Sequence, residues 1–511
     1  MLLDHEPGEV LHPFHGGLRL KHYKRQSLSS PISRPPLPAR LVLPLRQHHG
    51  RAGHPRVAQG EHVLRGQALS GGVAVDQVPI HAPSSGVVRR IELAPTIACP
   101  ERGELCIELE LDGEHRAPPP AVLPPWHALS QTELRQAIFS AGLVGMGGAV
   151  YPSAAKLPPA GHKIDTLIIN GAECEPYISC DEALLDAHPE RVLAGAGILA
   201  RAAGARRIVI AIEERMRGAE RKLQAGLEIT AAPSRVVRVP SMYPEGGERQ
   251  LIHVLTGREV PRGGYPLALG MVVFNVATAA AAADALLDGL PLVERIITVT
   301  GAGITAPGNR LTLLGTPLNH LLADCGGYRP GAARLICGGP LMGEALPHDG
   351  LPAVKGTNCL LVLSAAEIAD PAPLLPCINC GECIRVCPAQ LLPHELHWAI
   401  RAADLGRAAE LGLDACIECG CCAQVCPSHI PLVADYRRGK AEIRAEQERR
   451  TQAERAKARY QASRERRQAR DAMAQDAAAA EQRMAGDEEQ AKARIAKALE
   501  RVRRKREGDP E

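Results

Sequence analysis

Two phrases in nearly the same words constrain this chain more than anything else in it: CINCGECIRVCP from Cys377 and CIECGCCAQVCP from Cys416. Each has the spacing C-x2-C-x2-C-x3-C-P, with Cys377, Cys380, Cys383 and Cys387 before Pro388, and Cys416, Cys419, Cys422 and Cys426 before Pro427. Three thiolates this close together bind three irons of one cubane, while the fourth, carried on the following turn, reaches across to the other cluster. The spacing therefore predicts two [4Fe-4S] centres with crossed ligand sets. Cys377, Cys380, Cys383 and Cys426 hold the first, and Cys416, Cys419, Cys422 and Cys387 hold the second. Structural zinc also uses thiolates, but its motifs usually pair two C-x2-C units across a longer gap. Gly381 and Gly420 are expected to let the backbone approach sulfur without a side chain in the way, and each proline removes a donor as the chain leaves its cluster. Cys421 is supernumerary and reads as a neighbouring thiol rather than a ligand.

Nine of the sixteen cysteines lie between Cys377 and Cys426, which speaks for a local cofactor rather than a disulfide scaffold. The opening MLLDHEPGEV carries acid and proline where a secretory signal needs a basic start and an apolar run, so export is not expected. From Leu267 to Leu287 the chain is long enough to span a bilayer, yet it contains Asn275 and Asp284 and is dominated by alanine. It reads as a buried strand followed by a packed helix. A net charge of +3 gives no reason to expect nucleic acid as a partner.

At 511 residues the chain has room for several cores. Residues 1–120 read as short β segments divided by Gly and Pro, hence a small barrel or sandwich, and the proline-rich stretch from Pro118 to Trp126 as a stiff linker. Residues 127–290 read as a layered α/β domain. Ser130 and Glu133 form a capping box there, and TLIINGA (166–172) and RIVIAI (207–212) look like buried parallel strands. Residues 291–365 form another β-rich unit with one helix, 370–438 carry the cysteines, and 439–511 are a charged tail that reads as an exposed helix or a disordered arm. The histidines of the first domain, among them the pair His48 and His49, are expected to be surface or structural residues.

Three segments of the α/β region carry further chemistry. Gly145, Gly147 and Gly148 form a run whose amides suit a phosphate or a flat ring system, or simply a tight turn, with Lys156 as a counter-charge. Glu173 and Glu175 follow the strand that ends near Asn170, where α/β proteins place ligands, though two acids there also suit an ordinary surface. Gly246, Gly247 and Glu248 precede a helix, and Asn275 and Thr278 follow a buried strand.

With GLVGMGGAVYPSAAKL, INGAECEPYIS, YPEGGERQLIHVLTGREVPRGGYP and CIECGCCAQVCPSHIPLVADYRRGK in view, the chain resembles the C subunit of Rnf/Rsx membrane-associated electron transport complexes from about residue 10 to 438. Its middle is similar to the NADH- and flavin-binding subunit of respiratory complex I. The resemblance implies an N-terminal barrel-sandwich hybrid, a central FMN domain, a β-grasp (SLBB-like) domain and a ferredoxin-like domain with two clusters. It implies FMN held by Gly145, Gly147, Gly148, Lys156, Asn170, Gly246 and Asn275, with Thr278 nearby. Glu173, Glu175 and Glu248 line the flavin and nicotinamide pocket, the first two in the catalytic position, with NADH as substrate. Met146 stands where the complex I relative has arginine, Gly247 replaces one of its paired glutamates and Ala172 replaces an acid. The HAPSSGVV turn holds no lysine, so lipoylation is not expected there. The implied setting is a peripheral electron-entry subunit at the cytoplasmic face of the inner membrane, partnered by other subunits, one of them ferredoxin-like, and by ferredoxin or a similar acceptor. A relay adaptor without nucleotide oxidation, and a soluble flavin and iron–sulfur dehydrogenase using another donor, are the alternatives.

Overall fold

A computed structural model describes residues 8–119, 124–159, 161–368, 373–506 and 508. The first seven residues, the middle of the proline-rich linker and the expected start of the cysteine segment at 370 lie outside them. The chain divides into two compact units, Met1–Arg437 and Arg438–Glu511.

The first unit opens with β1 (Arg40–Pro44), β2 (His54–Pro55), β3 (His62–Val63), β4 (Ser70–Gly71), β5 (Gly86–Ala94) and β6 (Glu104–Leu111). An antiparallel sheet runs β1-β6-β5-β3, and β2 pairs with β4 beside it. Alternation places Leu41 and Leu43 in the core with Ile107 and Leu109. The start of β5 requires Gly86, because a methyl there would lie 2.1 Å from the carbonyl oxygen of Glu110.

Next come α1 (Gln131–Ser140), α2 (Ser153–Lys156), β7 (Ile164–Gly171), α3 (Cys180–Ala187), α4 (Pro189–Ala203), β8 (Ala205–Glu213), α5 (Arg217–Ala225), β9 (Ser234–Val239), α6 (Glu248–Thr256), β10 (Met271–Asn275) and α7 (Val276–Leu287). The capping box forms as read: the Glu133 amide donates to Ser130 Oγ at 3.3 Å and the Ser130 amide to the Glu133 carboxylate at 2.8 Å. Trp126, at the end of the expected linker, packs on the core instead of standing free. The four strands are all parallel in the order β10-β7-β8-β9. Both faces of this sheet are covered. Leu167 and Ile169 join the core that contains Leu199 and Ala279, and Ile168 joins a second core with Leu251 and Leu255. The alanine-rich stretch forms β10 and α7 as expected, and its small residues serve close packing: a Cβ on Gly195 of α4 would fall 1.7 Å from the Ala279 carbonyl oxygen. Among the described residues no helix is long and apolar enough to cross a membrane.

The next sheet comprises β11 (Glu294–Thr300), β12 (Gly308–Leu313), β13 (Ala332–Cys337), β14 (Glu344–Ala345) and β15 (Cys359–Ser364), with α8 (Leu318–Asp324) inserted after β12. Its order is β12-β11-β15-β13-β14, in which β11 and β15 are parallel and the other pairs antiparallel. Leu318, Leu321 and Leu322 of α8 pack on Ile297, Val299 and Leu360, the grasp of a sheet around one helix. The cysteine region holds α9 (Glu382–Arg385), α10 (Pro393–Arg401), α11 (Leu405–Glu410) and α12 (Cys421–Gln424), and α13 (Leu432–Arg506) follows. Of the two readings offered for the tail, it is the helix that forms; no described residue from 441 to 506 is buried.

An N-terminal strap ties the first unit together. Gly8 and His12 donate to the carbonyls of Leu255 and Val254, Gly17 to Val386, Leu18 to Tyr243 and Ser33 to Asn309. Residues ahead of the barrel thus touch the flavin domain, the cysteine region and the β-grasp sheet in turn.

Candidate functional site

The two cysteine runs fold as the same device. Asn379 and Glu418 share a left-handed backbone (φ 56° and 57°), as do Gly381 and Gly420 (78° and 79°) and Gln390 and His429 (both 53°). Such residues turn successive amides to one side of the loop. The Glu418 amide donates to Cys416 Sγ at 3.4 Å, and the Leu391 amide to Cys387 Sγ at 3.3 Å. At Gly381 the positive φ by itself favours glycine. At Gly420 the same φ combines with the carbonyl oxygen of Leu341, 3.1 Å from where a Cβ would stand.

Each device frames a small cavity. One is lined by Cys377, Cys380, Cys383 and Cys426 with His394, His397, Ile430 and Leu432. The other is lined by Cys416, Cys419, Cys422 and Cys387 with Pro393, Leu396 and Tyr436. The fourth thiol of each run therefore lies in the cavity of the other run. Four soft donors around a largely apolar hollow fit an iron–sulfur cubane. Burial pushes the thiols of Cys383, Cys387 and Cys422 upward, so bound metal is what would favour their thiolate form. Cys421 lines neither cavity. It is buried beside Tyr243 and Leu341, and its thiol is hydrogen-bonded to that of Cys419.

The surroundings of the two cavities differ. Around the second, Tyr243 Oη donates to the Cys419 carbonyl at 2.6 Å, and Gln250 Nε2 donates to the Pro388 carbonyl at 3.4 Å, so the flavin domain closes over it. Around the first, Cys380 is exposed, and Ile378 and Leu374 are 67% and 61% exposed. Between them, His397 Nδ1 meets Asp435 at 2.7 Å and Tyr436 Oη donates to the Pro393 carbonyl at 2.7 Å.

In the α/β domain the strand order reverses between β10 and β7, and Asn275 and Asn170 stand opposite each other at the carboxyl ends of those strands. That switch point is where open α/β sheets leave a ligand crevice. Asn170 Nδ2 donates to the Gly246 carbonyl at 2.9 Å. The Asn275 side chain caps α7 through the Ala277 amide at 2.8 Å and donates to Asp181 at 2.5 Å. Thr278 Oγ1 accepts from the Met146 amide at 2.9 Å, which pins the glycine loop to the same place. A methyl on Gly147 would stand 3.3 Å from Asn275 Nδ2, whereas at Gly148 it would meet open space. Lys156 pairs with Glu248 and lies 5.6 Å from the centre of the Phe274 ring. The glycine loop, both asparagines, Thr278, Gly246, Lys156 and Glu248 thus form one rim, and its side-chain-free floor fits a flat phosphorylated cofactor.

The two predicted catalytic acids have internal partners. Glu173 accepts from the amides of Asp181 at 2.9 Å and Glu182 at 3.4 Å at the start of α3, and pairs with the buried Lys24 at 3.4 Å. Glu173, Cys180 and Asp181 bring ligand atoms within 4.8 Å of one another, but the Lys24 ammonium already compensates that charge. Glu175 accepts from the amides of Leu341 at 2.8 Å and Met342 at 3.1 Å, and burial raises its carboxyl.

Sequence reasoning passed over several residues of this neighbourhood. Arg295 is buried and donates to the carbonyls of Lys355 and, at 3.3 Å, Met146. Lys355, also buried, donates to Gly142 at 2.7 Å and Pro79 at 3.0 Å, and burial lowers its ammonium to about 7. Both cations come from the β-grasp unit and hold the glycine loop from below. Asp181 is raised to about 7 by burial and by Glu173. Glu245, inside YPEGG, has neither oxygen partnered, and burial with the charge of Glu213 raises it to about 8. His48 and His81 are buried and lowered to about 4 and about 3, mainly by burial, as structural histidines would be.

Family models match four stretches: an RnfC barrel sandwich hybrid domain over residues 12–114, a Nuo51 FMN-binding domain over 138–284, an SLBB domain over 296–345 and a 4Fe-4S dicluster domain over 376–430. They agree in kind and order with the barrel hybrid, flavin, β-grasp and cluster domains expected from the sequence. The C subunit of the ion-translocating oxidoreductase complex of Erwinia tasmaniensis is 43% identical over 433 residues, which is 84% of this chain and 54% of that protein. The chain thus spans about half the length of the curated relative it matches. Two solved chains of NAD+-reducing [NiFe]-hydrogenase, air-oxidised and H2-reduced, are 20% and 21% identical. They cover 61% of this chain and 64% and 61% of their own, with TM-scores of 0.46 and 0.44, a likeness too slight to bear on function.

Proposed function

The chain belongs to the RnfC family of ion-translocating oxidoreductase subunits, and from that premise we propose that it is the electron-entry subunit of such a complex, passing electrons between NADH, FMN and two [4Fe-4S] clusters. FMN, when bound, supplies the exchange between paired electrons arriving as hydride and the single electrons that clusters carry. The residues of this chain do the rest. Gly145, Gly147 and Gly148 leave the cofactor floor free of side chains, and Asn170, Gly246, Asn275 and Thr278 fix its rim. Lys156 offers positive charge on the side where Glu248 steadies it. Glu173 anchors the start of α3 beneath the site, and Glu175 reaches toward the second cysteine cavity.

The inner set, Cys416, Cys419, Cys422 and Cys387, adjoins the flavin domain, and the outer set, Cys377, Cys380, Cys383 and Cys426, reaches the surface. With its cofactors bound, the inner set would be the one placed to take electrons from the flavin side, and the outer set the one placed to pass them to other subunits, among them a ferredoxin-like one, on the cytoplasmic face of the membrane. The observation that carries this reading is the pair of cavities, each lined by one crossed set of four cysteines. The competing adaptor reading draws on the internal partners of Glu173. Iron, sulfide and flavin assays of anaerobically purified protein, followed by an NADH titration, separate the two. Two clusters and an FMN that NADH bleaches support electron entry; clusters without a flavin that NADH can bleach would leave only the relay.

A further inference from the structure

Tyr243 is one of the buried side chains at which the flavin rim and the inner cysteine set meet. Tyr243 begins the YPEGG segment whose Gly246 bonds Asn170, and its hydroxyl donates at 2.6 Å to the carbonyl of Cys419, an inner-set cysteine. It is 2% exposed, packed against Cys419, Cys421, Cys174, Leu18, Leu20 and Leu341. The strap secures its backbone: the Leu18 amide donates to the Tyr243 carbonyl at 2.7 Å, and the Tyr243 amide to the Leu18 carbonyl at 2.9 Å. The adjacent Gly17 amide donates at 3.0 Å to Val386, one residue before Cys387. A methyl on Gly16 would stand 2.6 Å from that Val386 carbonyl oxygen, so the strap fits only as glycine. Two inner-set cysteines are therefore referenced to the same tyrosine, one through its hydroxyl and one through the strap.

We propose that Tyr243 is a positioning residue that registers the inner cluster against the flavin site and, through its hydrogen bond to the Cys419 carbonyl, tunes that cluster alone. The inference rests on the electron-entry reading above. A donor on the carbonyl of a ligating residue draws electron density from the ligand and favours the reduced cluster, as hydrogen bonds around metal ligands do in general. Glu175 accepts from the amides of Leu341 and Met342, and Leu341 packs in the same cluster as Tyr243 and Cys419.

The test is a potential titration of the full chain, prepared anaerobically and followed by electron paramagnetic resonance, on wild type, on Tyr243→Phe and on protein with a ring-fluorinated tyrosine at 243. Losing the donor should lower the reduced-to-oxidised ratio of the inner cluster at fixed potential by up to about fivefold, the weight of one neutral hydrogen bond. The stronger fluorinated donor should raise it, and the outer cluster should stay in place in both. A purely structural role would cost iron or melting temperature without that graded shift. An inner cluster unmoved by the fluorinated residue overturns the inference, even where Tyr243→Phe has lost its iron. Wild-type protein without iron clusters would overturn the electron-entry reading and this inference with it, whereas two intact clusters with unmoved potentials overturn this inference alone.

Discussion

The inner and outer cysteine sets share their spacing, their left-handed residues and the crossing of the fourth ligand, yet they live in different surroundings. The inner set lies under Tyr243, Leu341 and Gln250, while the outer set shows Cys380 and Ile378 to solvent. Spacing decides what a cysteine run can bind; what packs over it decides its place in a chain of carriers. Burial and hydrogen bonding are also what set cluster potentials, so identical motifs need not have identical redox behaviour.

Removing a ligand should have the greatest consequence. Cys419→Ser should abolish the inner cluster, halve the iron content and leave the α/β core folded; two undiminished cluster signals would refute the assignment. Cys387→Ser and Cys426→Ser go further. Each should remove the cluster of the opposite run, which a simple tandem arrangement does not predict, and iron analysis with resonance spectra tells the two apart.

A smaller effect concerns the flavin-side wall that only the inner set possesses. The folded carboxyl of Glu245 is raised from 4.5 to about 8, so its contribution to stability is full below the ordinary value and is lost as pH rises through about 8. Glu245→Gln should therefore be more stable than wild type at pH 9, by about 2 to 4 kcal/mol, with the advantage gone near pH 4. Parallel denaturation curves at the two pH values would contradict this. The mildest contrast is between the paired glycines. Alanine at Gly381 pays about 1 kcal/mol for its left-handed backbone, and alanine at Gly420 should cost about 1 kcal/mol more because it also meets the Leu341 carbonyl. Equal melting temperatures for the two variants would show that the inner loop is less closely covered than described.

Much of this was legible because it is local. Cysteine spacing, the Ser130 and Glu133 cap and the strand-then-helix reading of the alanine-rich stretch depend on residues a few positions apart, where periodicity and turn chemistry act. Tyr243 on Cys419, Lys24 on Glu173, and Arg295 and Lys355 under the glycine loop join residues far apart in the chain, and nothing in local composition announces them. The strap escaped notice for the same reason: Gly16 and Gly17 look like an ordinary turn until Val386 and Tyr243 are packed against them. Glu173 teaches the converse. Its position after a parallel strand suggested chemistry, while its bonds serve the start of α3.

The order of the carriers is what everything else stands on, and rapid freeze-quench resonance after mixing with NADH can read that order on Cys380→Ser and Cys419→Ser proteins. Without Cys380 the inner cluster should still be reduced at the wild-type rate; without Cys419 the outer cluster should stay oxidised on that timescale. An outer cluster that fills at the wild-type rate in the Cys419→Ser protein would show that electrons do not pass through the inner set first.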